Sequence, residues 1–428
     1  MGATAMKNLA LNLYLLFVVS WFLHLGLRVP ILGAVRFDLL LLCILSFLAL
    51  AAKSDTGARR TETAKLLTFL VAYAILTIPF VEWPGSVIRT GIPEFLKAII
   101  FYYFTIEFIS SERDLRKFVS VFLGCQLWRV LEPLYLHFTE GYWGEFATMA
   151  DWEYLDRLAG APSDVINPNG LAFVICTLLP FLYFMAGLSW WTRLAAWLLV
   201  PALLDALVLT GSRTGILALL VTFIVVLLMS KRRVLVGTAG VLAVAVGFQY
   251  LGPDTQDRYL SIFGMGYKNK ATAELRTHIV EENFQIALRR PFFGHGLGTS
   301  VEANGAFGTN NKPAHNLYAE VAEELGFFGL IIVILFLKSI YASFNKCKRA
   351  YVNRDAGMFV PRLIDAMQVW LWINFLFSFA SYGLSDYEWY LLAGFSVVLQ
   401  RLAGGDLARE CNKSDRSVVR PHANHAPS

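Results

Sequence analysis

GTNNKPAHNLYAEVAEELGFFGLIIVILFL, residues 308–337, ends as a membrane span and opens with His315, Asn316, Glu320, Glu323 and Glu324. Ionisable groups at membrane depth are costly, so they are paired, face a cavity, or do chemistry. Asn316 stands where an N-cap would. Glu320 is four residues beyond Asn316 and Glu324 four beyond Glu320, so the three share a helix face. Gly326 and Gly329 lie one turn apart and offer another helix a close-packing surface. The glutamates act either as polar glue that complements the helix N-terminus or as part of a site. Histidine is the usual general base near neutral pH, so His315 is read as functional.

Working outward, the whole chain has the composition of that span. Of 428 residues, 56% are hydrophobic and only 16% charged, against roughly 25% charged in a soluble domain. This is an integral membrane protein. Its net charge of +5 is read through topology, because cytoplasmic loops collect Lys and Arg. Basic residues are scattered, with no basic stripe interleaved with aromatics, and nucleic acid is excluded as a partner. Cys43, Cys125, Cys176, Cys347 and Cys411 show no CxxC or Cys/His spacing, so neither a disulfide nor a metal site is expected.

Apolar runs fall near 9–27, 37–52, 66–83, 94–110, 118–137, 169–187, 191–210, 214–230, 234–252, 317–341, 365–382 and 387–402. Some are short for a span, giving about ten to twelve crossings of an all-α polytopic bundle. The first run lacks a small-residue cleavage site and reads as a retained anchor. With the N-terminus inside, segments 53–65, 111–117, 231–233 and 346–355 are cytoplasmic, and each carries a basic cluster. Both termini are then cytoplasmic. Residues 1–402 form one membrane domain, with long external segments at 138–168 and 253–316, and 403–428 form a polar, disordered tail.

The external side collects the chemistry. TGSRTG, residues 210–215, puts Arg213 at the outer end of a very apolar helix, where positive-inside logic disfavours it. Gly211 and Gly215 let backbone or ligand come close. A guanidinium there matches phosphate oxygens; otherwise it is a snorkelling interface residue. In TAELRTHIVEENFQIALRRPFFGHGLG, residues 272–298, a helical apolar stripe carries Arg276 on its inward face. That charge needs an anion, either Glu281 or Glu282 or a bound phosphate. Arg289 and Arg290 sit beside Pro291 as surface or interface charges. GHGLG follows no strand and opens no helix, so it is not a dinucleotide fingerprint. Asn167-Pro168-Asn169-Gly170 launches a span; its amides cap that helix or bind sugar hydroxyls. Arg129 and Glu132, three apart, pair within a span or line a cavity wall.

SRTG opening a span, a long external loop with a helical arginine followed by Pro and GxGxG, then His-Asn and ExGxxG opening the next span together resemble the O-antigen ligase/polymerase family of bacterial envelope glycosyltransferases. The likeness runs from about Asn167 to Tyr341. It implies a GT-C-like bundle in the bacterial inner membrane with a large periplasmic loop. The implied activity is transfer of a glycan from undecaprenyl diphosphate to lipid A–core or another glycan acceptor, with no metal and no cofactor. Carried onto this chain, Arg213 and Arg276 clamp the lipid diphosphate and His315 serves the acceptor hydroxyl. Asn316, Asn169, Glu324 and Arg289 join them as substrate-binding candidates. Family members often carry an aromatic, typically Trp, shortly after the loop arginine; here HIVEENF offers Phe284 at a longer offset, which leaves Arg276 and Arg289 as alternatives. Inversion at the anomeric carbon is expected. A repeat-unit polymerase uses the same donor chemistry. A transporter would need interrupted spans paired between two halves, and none is seen.

Overall fold

The computed structural model describes residues 2–51, 61–148, 154–229, 233–234, 237–238, 249, 252–260, 270–309, 314–351, 358–380 and 383–418; side chains at 2–5, 145–148, 154–155, 254–255, 270–277 and 405–418 lie outside that description. The chain is a helix bundle. Its principal helices are α1 (Gly2–Leu23), α2 (Phe37–Ala51), α3 (Glu62–Leu76), α4 (Ile92–Phe108), α5 (Glu112–Glu140), α6 (Pro168–Met185), α7 (Trp190–Leu209), α8 (Arg213–Met229), α9 (Pro253–Leu260), α10 (Lys270–Ala287), α11 (Ser300–Phe307), α12 (Leu317–Ala350), α13 (Phe359–Phe377) and α14 (Tyr387–Val418). An antiparallel hairpin, β1 (Gly144–Thr148) and β2 (Tyr154–Leu158), pairs Gly144 with Leu158 at its base and covers part of the 138–168 segment.

Among the described residues, α1, α6, α7 and α12 are long and apolar enough to cross a membrane, and α2 and α8 are apolar but shorter. The expected runs coincide with helices throughout, except 234–252, which lies almost wholly outside the described residues. Helix α14 continues to Val418, beyond the boundary expected at residue 402. In residues 402–410, Leu407, Ala408, Arg409 and Glu410 favour helix and outlast the weaker Gly404, Gly405 and Asp406 before them.

Local chemistry sets the boundaries. Ser111 and Asp114 form a reciprocal capping box at the start of α5, which stops at Gly141 in a left-handed conformation, φ 70°. Helix α14 packs chiefly against α4, α6 against α13, and α12 between α3 and α14. The centre is aromatic: Phe122 stacks on Trp370 at 5.6 Å and Tyr14 donates to or accepts from Thr105 at 2.9 Å. Between α3 and α12, Ser339 donates to Thr63 at 3.1 Å. Hydrogen bonds of this kind contribute about 0.6–2 kcal/mol within a bilayer.

Two expectations change. Arg129 does not pair with Glu132. It makes a bidentate bond to Asp164, 2.6 and 3.0 Å, while Glu132 takes Arg28 at 2.6 and 2.5 Å. The 138–168 segment brings the planar Asp164 carboxylate onto the Arg129 guanidinium fork, and Arg28 meets both oxygens of Glu132 in the same way. Gly326 is also not a smooth packing surface. Its φ of 69° and ψ of −178° break α12 in two, and the broken end is closed by the 291–298 loop. Phe327 N–H donates to Pro291 O at 2.8 Å, and His295 and Gly296 N–H donate to the Glu323 and Glu324 carbonyls at 2.8 and 2.9 Å.

Candidate active site

The N-termini of α6, α8, α12 and α14 and the C-terminus of α13 meet at one end of the bundle around a cavity of about 360 Å³. Its wall includes Asn167, Asn169 and Gly170 of α6 and its cap, Thr214 of α8, His315, Asn374 and Phe377 of α13, and Asp386, Glu388 and Trp389; Arg129 lies at its base. Several helix N-termini facing one space favour an anion there, because their dipoles add.

His315 precedes the cap of α12 and holds a left-handed backbone, φ 50°. A non-glycine residue pays strain for that conformation, and such strain gathers at functional sites. Asn316 is the N-cap: its Oδ1 accepts from Tyr318 N–H at 3.0 Å and Ala319 N–H at 3.1 Å. That oxygen serves the helix start, which fixes where His315 stands.

Arg213 begins α8, half-buried and next to the cavity-lining Thr214. The turn before it is held from three sides. Arg157 of β2 donates to Thr210 O at 2.8 Å, Arg258 of α9 donates to Gly211 O at 2.6 Å, and Ser212 donates to Asn169 Oδ1 at 2.9 Å. Arg157 also donates to Asn169 Oδ1 at 3.1 Å. Gly211 makes the turn possible with φ 56°. Asn169 thus joins α6, β2 and α8 while lining the cavity, and the neighbouring Asn167 is the cap of α6, accepting from Gly170 N–H at 2.8 Å. Two buried guanidiniums at the carboxyl end of α7 also complement its dipole.

Glu324 lies apart from the cavity wall. Its carboxylate accepts from Gly298 N–H at 2.7 Å and Ser300 N–H at 3.2 Å, which ties the loop before α11 to α12. Glu323 accepts from Asn283 of α10 at 2.7 Å, and Glu320 accepts from Gly383 N–H at 2.9 Å, anchoring the turn before Asp386. Arg289 is exposed, its guanidinium 4.9 Å from the centre of the Phe307 ring; Arg290 pairs with Glu82. Arg276 belongs to α10 by its backbone, and its side chain lies outside the described residues.

Sequence reasoning missed Arg157, Arg258, Asp164, Asn374, Asp386 and Glu388. The signal for the two arginines was present: like Arg213 they fall on the side expected to be external, where positive charge is disfavoured. Asp164 is held below the usual carboxylate range; burial alone would raise it, but hydrogen bonds and charge from His24 and Arg129 prevail. Asp386 opens onto the cavity, and the surrounding protein, by desolvation, pushes its carboxyl up to about 7.

Among curated proteins no match was found. Residues 194–334 match the model of a family described as O-antigen ligase. The matched segment runs from within α7, through the Arg213 turn, α10 and α11, to His315 and the broken α12. Over that segment the chain is similar to an O-antigen ligase-like family.

Proposed function

We propose that this protein is a ligase that moves a glycan from undecaprenyl diphosphate to an acceptor hydroxyl at the periplasmic face of the bacterial inner membrane. Lipid A–core, or another membrane-held glycan, is the acceptor. The observation that carries this reading is the gathering of His315, Asn169 and four helix N-termini on one cavity, with the Arg213 turn braced beside it.

The chemistry follows from charge. A lipid diphosphate leaves readily once its charge is neutralised, and preorganised guanidiniums do that without reorganising. Arg213 supplies one, the helix N-termini add partial charge, and Arg276 on α10 supplies the second. They fill the role a metal ion plays in other phosphoryl leaving groups, so transfer should survive chelators. The acceptor oxygen attacks the anomeric carbon opposite the diphosphate. The bond from that carbon to the phosphate oxygen breaks, the new glycosidic bond forms, and the acceptor proton passes to His315. The product is inverted. Asn316 and Glu324 act by holding His315 and the external loop in place, since their oxygens are occupied by backbone N–H groups. Arg289 is available at the surface for a long or anionic glycan.

Purified protein in nanodiscs, given a synthetic undecaprenyl-diphosphate oligosaccharide and a glycolipid acceptor in excess EDTA, tests this. The expected product carries the anomeric configuration opposite to the donor's, by NMR. A retained configuration, or dependence on added metal, contradicts the mechanism. Transfer onto a second lipid-linked repeat in preference to the glycolipid identifies a polymerase instead.

A further inference from the structure

Resting on the transfer reading, we propose that the cavity between α6, α13 and the 383–389 segment is a subsite for one uncharged pyranose ring, with Asn374 as a specificity-determining hydrogen-bond donor to a sugar hydroxyl.

Asn374 lines the cavity, is 5% exposed, and its Nδ2 has no hydrogen-bond partner among the described residues. A buried amide left unpaired is unfavourable, and native proteins rarely keep one without a use. Its backbone carbonyl is already engaged, accepting from Ser378 N–H at 2.9 Å and Ser378 Oγ at 2.8 Å. The helix end around it is therefore fixed, and the side-chain amide is the free element. A sugar hydroxyl oxygen is the acceptor that this donor lacks.

The rest of the wall suits the same ligand. Asp386 and Glu388 offer carboxylate oxygens to hydroxyl protons, and Phe173, Phe377 and Trp389 offer ring surface to the C–H face of a pyranose. Phe173 and Phe377 hold each other edge to face at 4.8 Å, which fixes their orientation. A volume of about 360 Å³ lies within the range of small-molecule sites. Charge then selects. Arg129 at the base is neutralised by both oxygens of Asp164, so it offers no net positive charge to an anionic sugar. Above about pH 7, the raised value of Asp386, its carboxylate repels one. The diphosphate is drawn to the Arg213 side and the neutral ring to the Asn374 side, which orients a substrate across His315.

The ring belongs either to the acceptor or to the first sugar of the donor, and kinetics separate them. In nanodiscs, KM is measured for donor and acceptor separately with wild type, Asn374→Asp and Asp386→Asn. Asn374→Asp keeps the shape and removes the donor. It should raise KM about tenfold for whichever substrate carries the ring and leave the other KM unchanged. A substrate lacking the paired hydroxyl should bind wild type and variant alike. Above about pH 7, where Asp386 is ionised, Asp386→Asn should narrow the preference for a neutral glycoside over the matching uronic acid. Binding is read independently by saturation-transfer NMR with methyl hexoside and methyl hexuronoside on wild-type protein, which needs no turnover and no variant. Saturation transfer to the hexoside and not to the hexuronoside supports the subsite even if no transfer reaction occurs. Equal transfer to both, or to neither, overturns it, as does an Asn374→Asp enzyme with both KM values unchanged.

Discussion

Gly326 is the joint on which the 291–298 loop hangs, and replacing it with alanine should loosen that joint measurably. Its φ of 69° with ψ of −178° lies in a region that only glycine occupies readily. Holding alanine there costs about 1–3 kcal/mol. The added methyl would also stand 2.5 Å from Phe292 O, 2.6 Å from Phe292 C and 2.8 Å from Pro291 O. Those are backbone atoms, so the loop must move, which breaks the bond from Phe327 N–H to Pro291 O at 2.8 Å. Losing that bond adds about 0.5–1.5 kcal/mol. The sum is a loss of roughly 1.5–4.5 kcal/mol. Unfolding by SDS titration in mixed micelles, followed by tryptophan fluorescence, reads it. Gly85→Ala is the control, since nothing lies within 4 Å of a methyl there. The same variant should transfer poorly, because α10 and α12 are no longer held in register. A Gly326→Ala protein within about 0.5 kcal/mol of wild type, the usual range of neutral surface changes, would refute the stapled break.

Three further outcomes follow from the cavity end of the bundle. Arg258→Gln removes the charged donor to Gly211 O, 2.6 Å away; a hydrogen bond of that kind contributes about 1.5–3 kcal/mol. Donor KM should rise at least tenfold, with Arg258→Lys intermediate, and steady-state kinetics with varied lipid-linked donor check it. Asp164→Asn leaves Arg129 buried beside a neutral partner and should destabilise by about 3–5 kcal/mol, read by the same SDS titration. The pH dependence has a definite sign: the Asp164 carboxyl is depressed in the folded protein, so its contribution is complete above the ordinary carboxylate pKa and is lost as pH falls through the lower folded value. Stability measured across the acid range should therefore fall less steeply in Asp164→Asn than in wild type.

The spans were legible because apolar runs separated by basic clusters have one reading, and the helices fall where those runs do. The caps were legible too: Asn316 and Asn167 each precede an apolar run and each accepts the expected backbone N–H groups. What the sequence hid is long-range. Arg129 and Glu132 sit close in sequence, yet their partners are Asp164 and Arg28, and no periodicity links residues that far apart. Gly326 followed three later by Gly329 reads as a packing face; only the approach of the 291–298 loop makes it a break. The Arg213 turn was recognised by its misplaced charge, but its supports, Arg157 and Arg258, were passed over although they break the same rule. Asn374 carries no sequence signal, since an asparagine near the end of an apolar helix is distinguished only by what surrounds it.

The most direct test of the transfer reading is the size profile of undecaprenyl-linked glycans in cells lacking this gene and carrying either the wild-type protein or His315→Asn. Asparagine suits the left-handed backbone at φ 50° better than alanine does, so the variant removes the imidazole and spares the fold. Long lipid-linked chains should accumulate in the deletion strain and with His315→Asn, and disappear with wild type; single repeats in their place would mark a polymerase. A lipid-linked pool unchanged by deletion would contradict the account.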